Sequence, residues 1–379
     1  MKIAIVHDWL ITYAGAERVL EEMIECYPNS DLFALVDFLP QSKRKFIKNK
    51  KVKTSFIQKL PFAKTKYRIY LPLMPFAIEQ FDLSDYDLVI SSSHAVSKGV
   101  ITGPNTLHIC MCYSPIRYAW DLQHQYLKES NLLFGIKGIL AKYILHKIRI
   151  WDLRTSNGVD EFIAISNFIK KRISKIYRRN STVIYPPVDT TSFKELDLPK
   201  KDYYVTCSRM VPYKKIDLIV ETFTKNFPEK ELIVIGEGPE YKKIKKLAGS
   251  NIKLVGHSCF EDLNIYLSTA KAFIFAAEED FGISPIEAQS SGAPVIAFGK
   301  GAALETIVNL DNNNNHPSGI LFYEQTTSSL TEAIKSFESN IEKFNSKDCQ
   351  KNAKRFSKEL FRKNFRNFVE SKITKRLES

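Results

Sequence analysis

Short runs rich in Ile, Val and Leu recur along the whole chain, each followed by an amphipathic or turn-rich stretch, and this alternation limits the fold more than any other feature. Strands that are apolar along their full length must be covered on both sides, so the pattern predicts parallel sheets flanked by helices, an α/β class. The first series of candidate strands is Lys2–Val6, Asp31–Val36, Asp87–Ser91, Leu107–Cys112, Glu161–Ile165 and Thr182–Tyr185. A second runs through Tyr203–Cys207, Glu231–Ile235, Asn251–Val255, Ala272–Phe275, Val295–Ala297 and Gly319–Phe322. Two series predict two sheets, and 379 residues are enough for two cores. Pro186-Pro187-Val188-Asp189 and the polar stretch after it mark the linker. The expected division is therefore a first domain over residues 1–195, a second over 196–355, and a helical segment over 356–379 whose Phe361, Phe365 and Phe368 suit packing back onto the first domain. The polar tract from Asp311 to Pro317 is expected to be an exposed loop.

Composition narrows the function classes. Fifty-five Lys and Arg against 42 Asp and Glu leave a net charge of +13, which favours an anionic partner such as a nucleotide, a phospholipid or a nucleic acid. Hydrophobic residues at 44% and charged residues at 26% exclude disordered and collagen-like chains. Six scattered cysteines lack a C-x-x-C pair or a zinc spacing, so no metal or redox site is expected and a reducing cytoplasm is the natural compartment. The apolar stretch from Ile3 ends at His7-Asp8, and no long apolar run follows, so neither an export signal nor a membrane span is expected.

The densest chemistry lies in the stretch from Ala276 to Ile296, read as strand end, Gly-containing turn, helix and next strand. Ser284-Pro285-Ile286-Glu287 fits an ordinary helix start. The same turn leaves the carboxyl end of a parallel strand, where backbone N–H groups face outward and anions bind. Glu279 and Glu287 flank it with two carboxylates able to accept hydrogen bonds from sugar hydroxyls, a pairing that suggests a nucleotide sugar. In Cys207-Ser208-Arg209-Met210-Val211-Pro212-Tyr213-Lys214, two cations stand where they can meet one diphosphate.

Glu279, seven residues and Glu287, with Phe281-Gly282 and Pro285 between, resemble the Glu-x7-Glu signature of glycosyltransferase family 4. Arg209 and Lys214 match that family's Arg and Lys. Gly236-Glu237-Gly238-Pro239 and the loop from Gly299 to Thr306 match its later glycine-rich turns, and Tyr13-Ala14-Gly15-Ala16-Glu17 its first-domain loop. The resemblance implies a GT-B fold, two Rossmann-like parallel-sheet domains facing a cleft. It assigns catalytic roles to Arg209, Lys214 and Glu279, and donor binding to Gly15, Phe281, Gly282, Ile283 and Glu287. The longer string Glu278–Ala288 is similar to lipopolysaccharide and exopolysaccharide mannosyltransferases. That subgroup implies retaining, metal-independent transfer of a hexosyl group, mannosyl from GDP-mannose, to a lipid-linked saccharide in surface polysaccharide synthesis, with no cofactor.

Departures are visible. Asp280 and Ala14 stand where relatives carry Gly. Tyr113 stands where relatives carry a His, so any imidazole chemistry there does not transfer, although His94, Tyr113 and Arg117 remain candidates for contacting the acceptor sugar. Residues 41–68 hold eleven Lys or Arg and no acid, interleaved with Phe46, Ile47, Phe56, Ile57 and Phe62, a composition suited to an anionic membrane surface at the inner face of the cytoplasmic membrane. A nicotinamide-dependent oxidoreductase is rejected because the first strand lacks G-x-G-x-x-G. A nucleic-acid-binding protein would explain the charge, but no helix-turn-helix, zinc or ribonucleoprotein motif supports it. A UDP-sugar transferase of the same fold stays as the alternative.

Overall fold

The computed structural model describes residues 1–310 and 316–378, so most of the polar tract expected as a loop lies outside the described residues. The chain divides into two compact units, Met1–Tyr185 together with Phe361–Ser379, and Pro186–Leu360.

Unit 1 is built on a seven-stranded parallel sheet of β1 (Ile3–His7), β2 (Asp31–Ala34), β3 (Val52–Thr54), β4 (Leu88–Ser93), β5 (Leu107–Cys112), β6 (Glu161–Ala164) and β7 (Ser181–Val183), in the order β3-β2-β1-β4-β5-β6-β7. β4 and β5 are buried at every position, as their apolar runs require. The sequence reading misses β3. That edge strand is three residues long, is only half-covered and sits in the lysine-rich run, so nothing apolar marks it. The helix Lys358–Leu377 closes this unit, with Phe361, Phe365 and Val369 buried and Arg362 paired with Glu22 of the helix Gly15–Cys26.

Beneath the loops leaving β4 and β5 lies a fully buried ion pair, Lys98 Nζ to Asp152 Oδ1 at 2.7 Å. The other two ammonium hydrogens go to the Asp152 carbonyl oxygen at 2.8 Å and Thr155 Oγ1 at 2.9 Å. The Asp152 carboxylate also accepts from Trp120 Nε1 at 2.7 Å and from the Tyr177 hydroxyl at 2.9 Å. Every donor of Lys98 is thereby satisfied, the condition under which a buried pair is tolerated. The network ties the β4 exit, the segment after β5 and the long helix Gly135–Thr155 to one carboxylate.

Unit 2 carries a six-stranded parallel sheet of β8 (Tyr203–Cys207), β9 (Glu231–Ile235), β10 (Ile252–Gly256), β11 (Ala272–Phe275), β12 (Val295–Phe298) and β13 (Gly319–Phe322), ordered β10-β9-β8-β11-β12-β13. Each of these strands is found where the sequence pattern predicts it. Alternate residues feed two separate cores: Tyr204, Leu232, Val234 and Ile274 on one face, and Tyr203, Val205, Ile233 and Phe273 on the other. The helix Ile283–Ser290 is clamped by polar groups as well as packing. Asn352 Nδ2 donates to Gln289 Oε1 at 2.6 Å and to the Thr306 carbonyl at 2.8 Å, while Ser290 Oγ donates to the Phe193 carbonyl at 2.6 Å.

Removing one member of the buried pair leaves the other charge uncompensated. Asp152→Ala should lower the unfolding free energy of unit 1 by about 3–5 kcal/mol in urea denaturation, whereas exposed Lys142→Ala should change it by less than about 0.5 kcal/mol.

Candidate active site

Parallel sheets bind ligands at their carboxyl edge, in the crevice that opens where neighbouring strands send their connections to opposite sides. In unit 2 the strand order reverses between β8 and β11. Lys214 sits in the single turn Pro212–Lys214 after β8, Glu279 follows β11, and the two form an ion pair across that crevice. Both are largely covered, with side chains 18% exposed. Arg209, on the same β8 loop, is exposed, and among the described residues its guanidinium has no partner. The structure thus joins two of the three residues expected to be catalytic and leaves the third open to an incoming anion.

Glycines set how closely the neighbouring loops approach. Gly301, at φ +68°, would place a Cβ 2.4 Å from the Glu279 carbonyl oxygen. Its absence lets the loop after β12 pair with Glu279, and Ala302 N–H donates to that carbonyl at 3.0 Å. A Cβ on Gly236 would fall 2.0 Å from the Ser208 carbonyl oxygen, so the turn after β9 seats against the Arg209 loop only as glycine. Gly282 adopts φ +81° immediately before the helix Ile283–Ser290. Phe281 is buried against Phe356 at 5.7 Å, Ile283 is half-covered, and Glu287 is buried within the first turns.

In unit 1 the order reverses between β1 and β4, and the residues there form a tight charged cluster. Asp8, fully buried after β1, accepts N–H bonds from His94 and Ala95 on Oδ2 at 2.7 and 3.0 Å, and from Val96 and Ser97 on Oδ1 at 2.7 Å each. His94 Nδ1 lies 2.9 Å from the same carboxylate. Burial alone would raise the Asp8 pKa, but the His94 charge and these hydrogen bonds hold it well below the usual carboxylate range. Burial would likewise depress His94, yet Asp8 more than offsets it and raises the imidazole above its ordinary value. His108, with no such carboxylate contact, is pushed down to about 4 by burial.

Tyr113 is buried, and its hydroxyl donates to the Ala16 carbonyl at 3.1 Å. The 2.8 Å contact with Ser92 then requires Ser92 Oγ to be the donor, and the 2.9 Å contact of Ser92 with His7 Nδ1 requires that nitrogen to carry a proton. His7 Nε2 faces Glu17 Oε1 at 3.6 Å, and Glu17 also accepts from Ala14 N–H at 3.0 Å. Ala14 is extended at φ −138°, a conformation open to any residue, so the loop around Gly15 carries no strain from the missing glycine. Arg117 is half-buried. The structure therefore gathers His94 and Tyr113 around Asp8, with ring centroids 6.3 Å apart. Sequence reasoning missed Asp8 and Ser92. Asp8 did leave a signal: a charged residue ending an apolar strand at the carboxyl edge of a parallel sheet.

Residues 188–356 match the family model described as glycosyl transferases group 1. The match covers nearly all of unit 2 and a little under half of the chain. Over 298 residues the chain is 29% identical to the UDP-N-acetylglucosamine–peptide N-acetylglucosaminyltransferase GtfA subunit of Streptococcus agalactiae, covering 74% of this chain and 54% of that protein. It is 24% identical to the alpha-1,3/1,6-mannosyltransferase ALG2 of Kluyveromyces lactis, covering 65% of this chain and 60% of the relative. The chain thus spans little more than half the length of these relatives. The crystal structure of Anabaena HepE in complex with UDP superposes with a TM-score of 0.71 at 16% identity, over 98% of this chain and 100% of that one. The fold is GT-B, two parallel-sheet α/β units in one chain.

A raised imidazole pKa stabilises the folded state fully below the unfolded value of about 6.5, and that contribution fades as pH rises through the folded value. Ring-proton NMR should place the His94 midpoint above about 6.5, and Asp8→Asn should move it below. An unmoved midpoint in the variant would show that Asp8 does not hold the charge.

Proposed function

We propose that this protein is a retaining glycosyltransferase that moves a hexosyl group, mannosyl from GDP-mannose, onto a hydroxyl of a lipid-linked saccharide at an anionic membrane surface, for surface polysaccharide or O-antigen assembly. The observation that carries this reading is the Lys214–Glu279 pair spanning the reversal between β8 and β11, with Arg209 exposed on the same loop. A diphosphate entering there competes with Glu279 for the ammonium of Lys214 and takes the free guanidinium of Arg209. Displaced from Lys214, the Glu279 carboxylate turns to hydroxyls of the donor sugar, while Glu287 takes the ribose and the backbone of Phe281, Gly282 and Ile283 lies along the sugar and phosphates.

As the bond between the anomeric carbon and the phosphate oxygen breaks, negative charge accumulates on the diphosphate and positive charge on the carbon. Arg209 and Lys214 stabilise the first. The acceptor oxygen bonds to the carbon from the same face, and its proton passes to the departing phosphate, so configuration is retained. Within unit 1, Gly15 is proposed for phosphate contact and His94 and Arg117 for sugar contact, with Asp8 favouring the charged form of the His94 imidazole, while Tyr113 spans Ser92 and the Ala16 carbonyl as a support. Mannosyl transfer is supported by the name of the yeast relative and by relatives of mycobacterial and corynebacterial origin named GDP-mannose-dependent mannosyltransferases. A UDP-sugar donor is the second reading, favoured by the UDP bound in the Anabaena structure and by the streptococcal relative's name.

Nucleotide release from GDP-, UDP- and dTDP-sugars, with and without membrane lipid extract, tests the class and the donor together. GDP release from GDP-mannose should require extract and fall by about 10²–10³-fold in Arg209→Ala. Release from a UDP-sugar alone would replace the donor, and release insensitive to Arg209 would remove the transferase reading. Glu279→Gln should slow turnover while leaving GDP affinity equal or higher, because Lys214 is freed. A matching loss of GDP affinity would contradict the sugar-contact role.

A further inference from the structure

The helix Gly135–Thr155 departs from the rest of unit 1 in being apolar on both sides. Its inner face is accounted for: Leu145 and Ile148 pack with Ile116, Ala119 and Leu127, and Asp152 holds Lys98. Its outer face is not. Phe134, just before the helix, is 88% exposed, Ile136 is 86% exposed and Ile139 is 68% exposed. Leu140, Tyr143 and Ile150 continue the stripe, also exposed, at spacings of three, four and seven residues that keep them on one side. Single exposed apolar side chains are ordinary, but a contiguous stripe of this kind marks an interaction surface. Exposed Ile69 and Phe76 come from the segment whose Leu71 packs against the inner cluster of the same helix, so the apolar area extends beyond it.

Charge selects the occupant. Between Ser130 and Trp151 there is no Asp or Glu, while Lys137, Lys142, Lys147 and Arg149 punctuate the helix. An isologous contact with a second copy would bring these cations face to face, whereas an anionic lipid surface takes apolar side chains and surrounding cations together. Among the described residues no helix is long and apolar enough to cross a membrane, so this one lies along the surface. The lysine-rich run at residues 41–68 fits the role less well. Its Phe46, Ile47 and Ile57 are buried in unit 1, leaving Phe62 as its most exposed apolar side chain.

We propose that the outer face of the helix Gly135–Thr155 is the membrane-docking element of this protein, with Phe134, Ile136, Ile139, Leu140 and Tyr143 entering the headgroup region of an anionic bilayer and Lys137, Lys142 and Lys147 meeting the lipid phosphates. This deepens the membrane part of the proposed function and rests on it. The test is sedimentation of the full chain with vesicles of equal parts phosphatidylglycerol and phosphatidylcholine, and with phosphatidylcholine alone, without any donor or acceptor. The protein should bind the anionic vesicles, lose binding as salt rises, and bind neutral vesicles weakly. The combined variant Ile136→Ser, Ile139→Ser, Leu140→Ser and Tyr143→Ser should partition about a hundredfold less, with an unchanged thermal melt because all four side chains face outward. Lys137→Glu with Lys142→Glu and Lys147→Glu should lose anionic binding by a similar factor. Undiminished binding by both variants would overturn the assignment to this helix while keeping the membrane reading. No vesicle binding by the unmodified protein would overturn both and leave the nucleotide-release result untouched. A dimer in light scattering that the serine variant converts to monomer would assign the face to a second copy instead.

Discussion

A parallel sheet covered on both faces has room for charged groups only where the chain leaves it, and the candidate chemistry of this protein follows from that constraint. Both sheets share the same reversal of strand order, between β1 and β4 in unit 1 and between β8 and β11 in unit 2. At each reversal the two loops part, and at each a carboxylate and a basic side chain are drawn together: Asp8 with His94, and Glu279 with Lys214. The pairs differ in character. Asp8 is buried and saturated by four backbone N–H groups, which makes it a fixed charge that shapes a loop and raises the pKa of a histidine. Glu279 is tied to the Gly301 loop through its backbone only, which leaves its side chain to pair with Lys214 and able to change partners in the proposed donor binding.

Support for these rims comes from deeper polar groups rather than from apolar packing alone. Asp152 fastens Lys98, Trp120 and Tyr177, and with them the loops after β4 and β5. Asn352 and Gln289 do the same for the helix that carries Glu287. Such satisfied buried networks accept one geometry and penalise others, because any partial break strands a polar group away from water. Precise placement of a few side chains on a carboxyl edge is what the proposed transfer of a sugar from its diphosphate needs.

Much of this was legible beforehand. Short β-rich stretches, several of them continuous apolar runs, marked every strand except β3, whose three residues at a sheet edge carry a single apolar side chain amid lysines. The Arg209, Lys214, Glu279 and Glu287 positions stood out because their motifs sit directly after strands. Asp8 was harder, since a single acid after a strand has no spacing pattern. Only the loop 94–97 folding over it reveals why it is there. The helix Gly135–Thr155 was harder still, because apolar residues on both faces, with lysines between them, give no periodicity to say which side meets the core.

The sequence by itself determined the α/β class, the two parallel sheets and the residue types at the carboxyl edge, because burial on both faces writes itself into the central strands. Tertiary structure alone decided which of those residues meet: that Lys214 pairs with Glu279 while Arg209 stays open, that the pKa of His94 is raised where that of His108 is lowered, and that one apolar face is left uncovered. Charge state and exposure depend on neighbours distant in the chain, and desolvation and Coulomb interactions act through space without regard to sequence order.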